Sequence, residues 1–222
     1  MNNLLRAAVA ATCLALPAGG AIAATFNFDT MADAYSAANG GEEATYAQMV
    51  AFNPGFFVGA DASVTNIAPT GIGLHGFFDS GNAGLGVCSS TNGASSVSGC
   101  SSVNGAGNGA SGDDNVTAGE GVIVSFDTEV KLTDLFFRNA THGDLTGDLM
   151  INGMNYSVVA GLLSALDLGS IASSSAFDFQ YTNSEFYLST ATVSAVPLPA
   201  GFLLMGTALG GLGLMRRRRK AA

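Results

Sequence analysis

Residues 122–127 read Val-Ile-Val-Ser-Phe-Asp. Apolar side chains at every second position set Val122, Val124 and Phe126 on one face of an extended strand, with Ser125 and Asp127 on the other. The same period returns in residues 25–29 (TFNFD) and 176–181 (AFDFQY). Residues 131–138 and 185–193 are further runs of strand length, rich in Phe, Tyr, Val and Thr. Residues 71–78 and 154–159 add two shorter candidates. Turn residues separate these runs: Asn53-Pro54-Gly55, Ser80-Gly81-Asn82 and Asn152-Gly153. Residues 42–52 (EEATYAQMVAF) form the one predicted helix, with acidic side chains suited to its N-terminal end. Short strands divided by turns, with no strand–helix–strand alternation, predict an all-β domain. The expected architecture is an antiparallel β-sandwich, jelly-roll-like.

That domain spans residues 24–195. Inside it, residues 88–121 are dominated by Ser, Gly and Asn and predict a long surface loop. Of three cysteines, Cys13 belongs to the N-terminal segment described below, which leaves Cys88 and Cys100 as an even pair. In an oxidising compartment such a pair reads as a disulfide; a thiol metal site would need His or Cys partners nearby, and the sequence has none there. The bridge would close a short flexible loop and contribute up to about 3 kcal/mol in the chain-entropy description.

The formal net charge is −9, but the charge is unevenly placed. All 17 acidic residues lie between Asp29 and Glu185, whereas Lys131 and Arg138 are the only basic side chains of the body besides its two histidines. A surface so acidic repels nucleic acid and attracts cations, so a nucleic-acid function is excluded.

Asp113, Asp114, Asn115 and Glu120 are hard oxygen ligands on a Gly-rich loop and are candidate calcium ligands. Their spacing is not that of an EF-hand, and a solvated acidic turn leading into a strand reads more readily from the same residues. His142, Asp144 and Asp148 form a second polar cluster that also reads as a hairpin loop. Catalysis has little support. His75 and His142 are the only histidines, there is no G-x-S-x-G elbow, and no phosphate-binding loop precedes a helix. The chain is therefore read as not an enzyme. A paired-carboxylate hydrolase stays as a second alternative, because the separation of two carboxylates is decided in three dimensions. Stacking on sugars needs exposed aromatic rings. There is no Trp, and Phe56, Phe57, Phe77, Phe78, Phe136 and Phe137 read as core, each adjacent pair sending one ring to each face of its strand.

The two ends carry export signals. Arg6, the apolar residues 7–16, the breakers Pro17, Gly19 and Gly20, and the small-x-small Ala21-Ile22-Ala23 predict a signal peptide of residues 1–23. At the other end, residues 196–215 hold no charge and reach roughly 30 Å as a helix, enough to span a bilayer. Arg216, Arg217, Arg218, Arg219 and Lys220 follow directly and hold that end in the cytoplasm. Pro197 and Pro199 keep the backbone extended just outside the membrane. Gly206 and Gly210 make a G-x-x-x-G spacing, which chance explains in so Gly-rich a stretch.

Val196, Pro197, Leu198, Pro199 and Ala200, then an apolar segment, then a terminal Arg cluster, resemble the PEP-CTERM class of bacterial sorting signals in its VPLPA-CTERM variant. Leu198 stands where the commoner form has Glu. The resemblance covers residues 196–222. It implies processing by an exosortase-type enzyme, a transient hold in the inner membrane, and delivery to the cell surface or exopolysaccharide matrix of a Gram-negative bacterium. The runs GLGVCSS, DDNV and GEG also resemble the lectin-like bodies of many such proteins. The expected function is an exported, non-enzymatic surface or matrix protein. The alternative is a calcium-dependent, lectin-like module whose partner is extracellular polysaccharide.

Overall fold

The computed structural model describes residues 22–40, 43–71, 73–89 and 115–196. The predicted signal peptide through Ala21, the loop portion 90–114 with Cys100, Asp113 and Asp114, and residues 197–222 lie outside them. Among the described residues 56% are in strands and 18% in helices, and the strand pairs are antiparallel, so the class is all-β.

The described residues begin with β1 (Ala23–Asn27), α1 (Phe28–Ala38), β2 (Ala44–Thr45) and α2 (Tyr46–Phe52). β3 (Val64–Gly71), β4 (Gly73–Asp79) and β5 (Gly84–Ser89) follow, and then the 20-residue β6 (Glu120–Asn139). β7 (Gly147–Ile151), β8 (Met154–Val158), β9 (Leu162–Leu163), β10 (Ser174–Tyr181) and β11 (Phe186–Ala195) complete the body. The strand order is β2-β4-β5-β11-β6-β10-β7-β8, with β1 on β11 and with β3 and β9 on β6.

β6 organises the network. Its first half lies between β3 (Ile67↔Val124) and β10 (Phe177↔Val124); its second half lies between β11 (Leu188↔Phe137) and β9 (Leu135↔Leu163). The register slips between Ser174/Ala176 on β10 and between Thr192/Val193 on β11. A slip of one residue turns a strand's side chains over. Buried positions on β6 accordingly run Val122, Val124, Phe126, Val130 and Leu132, then change parity to Leu135 and Phe137. Residues 122–127 and 131–138, read separately from sequence, are therefore one strand. Rings carried by the two halves meet other strands of the core: Phe126 is 5.9 Å from Phe26 of β1, and Phe137 is 6.2 Å from Phe179 of β10.

Three expectations need correction. Residues 25–29 were expected to be all strand, but the strand stops at Asn27 and an unpredicted helix, α1, begins. Asn27 caps it by accepting from the Thr30 N–H at 2.9 Å, and Phe28, Met31, Ala32 and Tyr35 bury one face at helical spacing. The predicted helix 42–52 starts later, at Tyr46. Thr45 and Gln48 form a capping box there, and Ala44–Thr45 is given to pairing with Phe78 and Phe77. The predicted loop 88–121 is shorter at both ends, because Cys88 and Ser89 belong to β5 and Glu120 and Gly121 to β6.

The Phe77–Phe78 pair does serve two faces. Phe78 packs in the main core, while Phe77 forms a separate small cluster with Cys88. Asn152 and Gly153, both with positive φ, make the two-residue turn that joins β7 to β8.

Candidate functional site

The second half of β6 ends at Asn139, and the chain then turns through residues 140–146 before β7. The Asn139 side chain builds this loop. Its Oδ1 accepts from the Thr141 N–H at 2.9 Å, the Thr141 hydroxyl at 2.8 Å and the Gly143 N–H at 3.0 Å. Its backbone closes the same loop, with Asn139 N donating to Gly143 O at 2.8 Å and His142 N to Asn139 O at 2.9 Å. His142 accordingly adopts a left-handed φ of 62°, which a polar side chain tolerates better than a branched one.

From that position the imidazole reaches across to the turn after β4. Nε2 lies 3.0 Å from Asp79 Oδ2, and Nδ1 lies 2.9 Å from the Gly81 carbonyl oxygen. The Tyr187 ring stands perpendicular to the imidazole at 5.5 Å. A carbonyl can only accept, so Nδ1 carries a proton and the other nitrogen faces the carboxylate. Both nitrogens are committed, and the ring works as a pin rather than as a general base aimed at solvent. The same turn is held from α1, where Asp33 Oδ1 accepts from Gly81 N at 2.8 Å. Asp29 accepts from the Asn82 N–H; burial and the nearby Asp33 raise its carboxyl above the ordinary range, opposed in part by Arg138.

Facing the 139–146 loop is the turn between β10 and β11. Asn183 and Asp148 are paired reciprocally: Asp148 N donates to Asn183 Oδ1 at 3.0 Å, and Asn183 Nδ2 donates to Asp148 Oδ2 at 2.9 Å. The Ser157 hydroxyl donates to Asp148 Oδ1 at 2.6 Å. These bonds, Ser157's first, hold the Asp148 carboxyl below its usual range. Between loop and turn lies an open groove of about 490 Å3, whose lining includes Asn139, Asp144, Thr146, Tyr181, Asn183 and Glu185. Arg138 forms an ion pair with Asp144 and lies 4.7 Å over the Phe136 ring. Glu185 accepts from Asn115 Nδ2 at 3.4 Å. Asn115 is almost fully buried, and its Oδ1 meets no partner among the described residues.

A second cleft of about 430 Å3 lies between β3, β4 and the start of α2. Ile67, Ala68, Pro69, His75 and Tyr46 are among its lining residues. Thr45 and Gln48 at its rim satisfy each other in the capping box, so it offers few free polar groups. His75, one of the two histidines noted in the sequence, belongs to this cleft and not to the groove.

The sequence candidates are thus dispersed. Cys88 is fully buried and disulfide-bonded, while its expected partner Cys100 lies outside the described residues. Of the calcium candidates, Asp113 and Asp114 lie outside them too. Asn115 turns to Glu185, and Glu120 is nearly buried, its Oε2 accepting from Thr117 N and Oγ1 at 3.0 Å each. The described residues contain no group of three or more His, Cys, Asp or Glu that could hold a metal. His142, Asp144 and Asp148 point to three different partners rather than to one centre. Val196, the first residue of the sorting motif, donates its N–H to Glu129 O at 3.0 Å. Pro197, Leu198, Pro199, Ala200 and the cluster Arg216–Lys220 are outside the described residues, among which no helix is long and apolar enough to cross a membrane. Tyr181, Asn183 and Glu185 went unnoticed as site residues; their only sequence signal is a polar run, 182–185, between two strands.

No family model matches the chain, and no curated protein or solved structure is significantly similar to it.

Proposed function

We propose that this chain is an exported, non-enzymatic surface or matrix protein, sorted by an exosortase-type enzyme through residues 196–222. The body is read as an antiparallel β-sandwich of jelly-roll type, with β6 as the strand that passes from one layer to the other at its bulges. The Phe26–Phe126 and Phe137–Phe179 ring contacts support two facing layers.

One observation carries the sorting reading beyond the tail sequence itself. Ala23, at the predicted signal-peptide junction, pairs with Ser194 on β11, two residues before the sorting motif. The chain enters and leaves the body on neighbouring antiparallel strands. Ends that emerge side by side suit a body tethered through residues 196–222 while its leader is removed at the same membrane face. The test follows a tagged body in cells with and without residues 196–222. Deletion is expected to move the protein from the surface or matrix fraction into the periplasm or medium; unchanged retention overturns the proposal.

A second reading, recognition of extracellular polysaccharide, is favoured by the polar groove between residues 139–146 and 181–185. Its test is retention on immobilised polysaccharide; a body that passes through unretarded counts against it.

A further inference from the structure

We infer that the groove walled by residues 139–146 and 181–185 binds an uncharged, hydroxyl-rich chain, a neutral polysaccharide, directly and without a bridging calcium ion. This rests on the polysaccharide reading above and assigns it a place and a ligand class.

Much of the hydrogen-bonding capacity in the groove walls is already used. Asn139 Oδ1 takes three donors, and its Nδ2 reaches Asp144 O at 3.3 Å. Asn183 is filled at both ends by Asp148, and the Ser184 hydroxyl donates to Asn183 Oδ1 at 3.0 Å. These residues make the walls and have little left for a ligand. Four groups keep capacity: the Thr146 hydroxyl, the Tyr181 hydroxyl, the second oxygen of Asp144 beside its Arg138 pair, and the second oxygen of Glu185 beside Asn115. Two hydroxyls and two carboxylate oxygens are the complement of alcohol groups, which both donate and accept. Tyr181 lines the groove and also packs against the core, so its ring is held in place.

Charge narrows the class. No Lys, Arg or His is among the groove's lining residues, and Arg138 beside it is paired with Asp144 and lies over the Phe136 ring. With Asp144 and Glu185 in its lining, the groove repels uronate, sulfate and phosphate chains. Its two carboxylates are each tied to a nitrogen donor, so they do not converge on a cation; metal-ligand clusters of three or more are absent among the described residues. Its volume falls within the roughly 300–1,000 Å3 of small-ligand sites. The walls are set before a ligand arrives, by the Asn139 loop, the Asp148–Asn183 pair and the His142 pin, so little ordering cost remains for binding. The cleft beside α2, with its capping residues satisfied, has no comparable set of free groups.

The experiment titrates the full chain, in detergent, with dextran, laminarin, galactomannan and alginate, each with and without EDTA. At least one neutral polysaccharide is expected to bind, alginate is not, and EDTA is expected to leave the affinity unchanged. Tyr181→Phe combined with Thr146→Ala removes two surface hydroxyls that hold nothing in the fold. That variant is expected to bind at least tenfold more weakly at an unaltered Tm, whereas His75→Ala in the other cleft keeps full affinity. Binding of a neutral glycan that the double variant retains overturns the groove assignment and leaves the polysaccharide reading standing. Loss of binding in EDTA, or a preference for alginate, overturns the ligand class. A wild-type chain that binds none of the four overturns both readings.

Discussion

His142 Nε2 lies 3.0 Å from Oδ2 of Asp79, a residue only 4% exposed. The pair joins two segments more than 60 positions apart, the end of β4 and the loop after β6. Removing the imidazole deletes the contact to a buried carboxylate and leaves the Gly81 carbonyl without its donor. His142→Ala is therefore expected to lower stability by about 1–3 kcal/mol in a urea titration. Asp79→Asn is expected to cost less when His142 is already absent than when it is present. Additive losses would show that the two side chains do not act together.

Asp29 sets up a pH effect of the opposite kind to the usual carboxylate. Its pKa is raised, chiefly by burial and then by Asp33, so the folded state holds its proton more tightly than the unfolded chain. Between the ordinary and the raised value the native state binds more protons, and its stability falls as pH rises. Asp29→Asn removes that charge. The variant is expected to match wild type in acid and to become the more stable of the two as pH rises through this window to neutrality. Denaturation midpoints at several pH values decide it; a constant offset would mean that the substitution acts through packing or hydrogen bonding and not through the charge of Asp29.

Asp148 behaves oppositely. Hydrogen bonds from Ser157 and then Asn183 hold its pKa down, so its contribution is present at neutral pH and is lost as pH falls through the lowered value. Ser157→Ala and Asn183→Ala are both expected to flatten the acid limb of the stability profile, Ser157→Ala the more. An acid limb unchanged in both variants would remove Asp148 from the account.

Gly84 opens β5 at φ 119°, and a Cβ there would lie 2.7 Å from Leu188 O and 2.8 Å from Ser189 Cα. Both neighbours are backbone of β11, which cannot move without disturbing the sheet. Gly84→Ala is expected to cost on the order of 3 kcal/mol or more. Gly40, at φ 74° with nothing near its missing Cβ, is the control, and Gly40→Ala is expected to cost about 1 kcal/mol. Equal losses in thermal unfolding would refute the steric explanation.

Much of the strand content was legible because burial on one face writes a period of two into the sequence, as in Val122–Val124–Phe126. The misses have separate causes. α1 was written clearly in Phe28, Met31, Ala32 and Tyr35, but the alternation of residues 25–29 competed with it, and Asn27 as cap decides the boundary. β3 contains Pro69 and was passed over; it is tolerated because, among the described residues, β3 pairs with β6 alone, leaving its other edge out of the ladder there. β5 (GLGVCS) has too many glycines to read as a strand, and it exists because β4 and β11 pair with it.

By itself, the sequence determined the all-β class, the acidity of the body and most turns. These depend on local composition and period, which each segment carries alone. Only the tertiary structure decided that β6 is one strand with a change of parity, that His142 meets Asp79, and that residues 139–146 and 181–185 face each other across a groove. Those are pairings between distant segments. Loop-closure entropy opposes them and only cooperative burial of the whole core offsets it, so no short stretch of the chain records them.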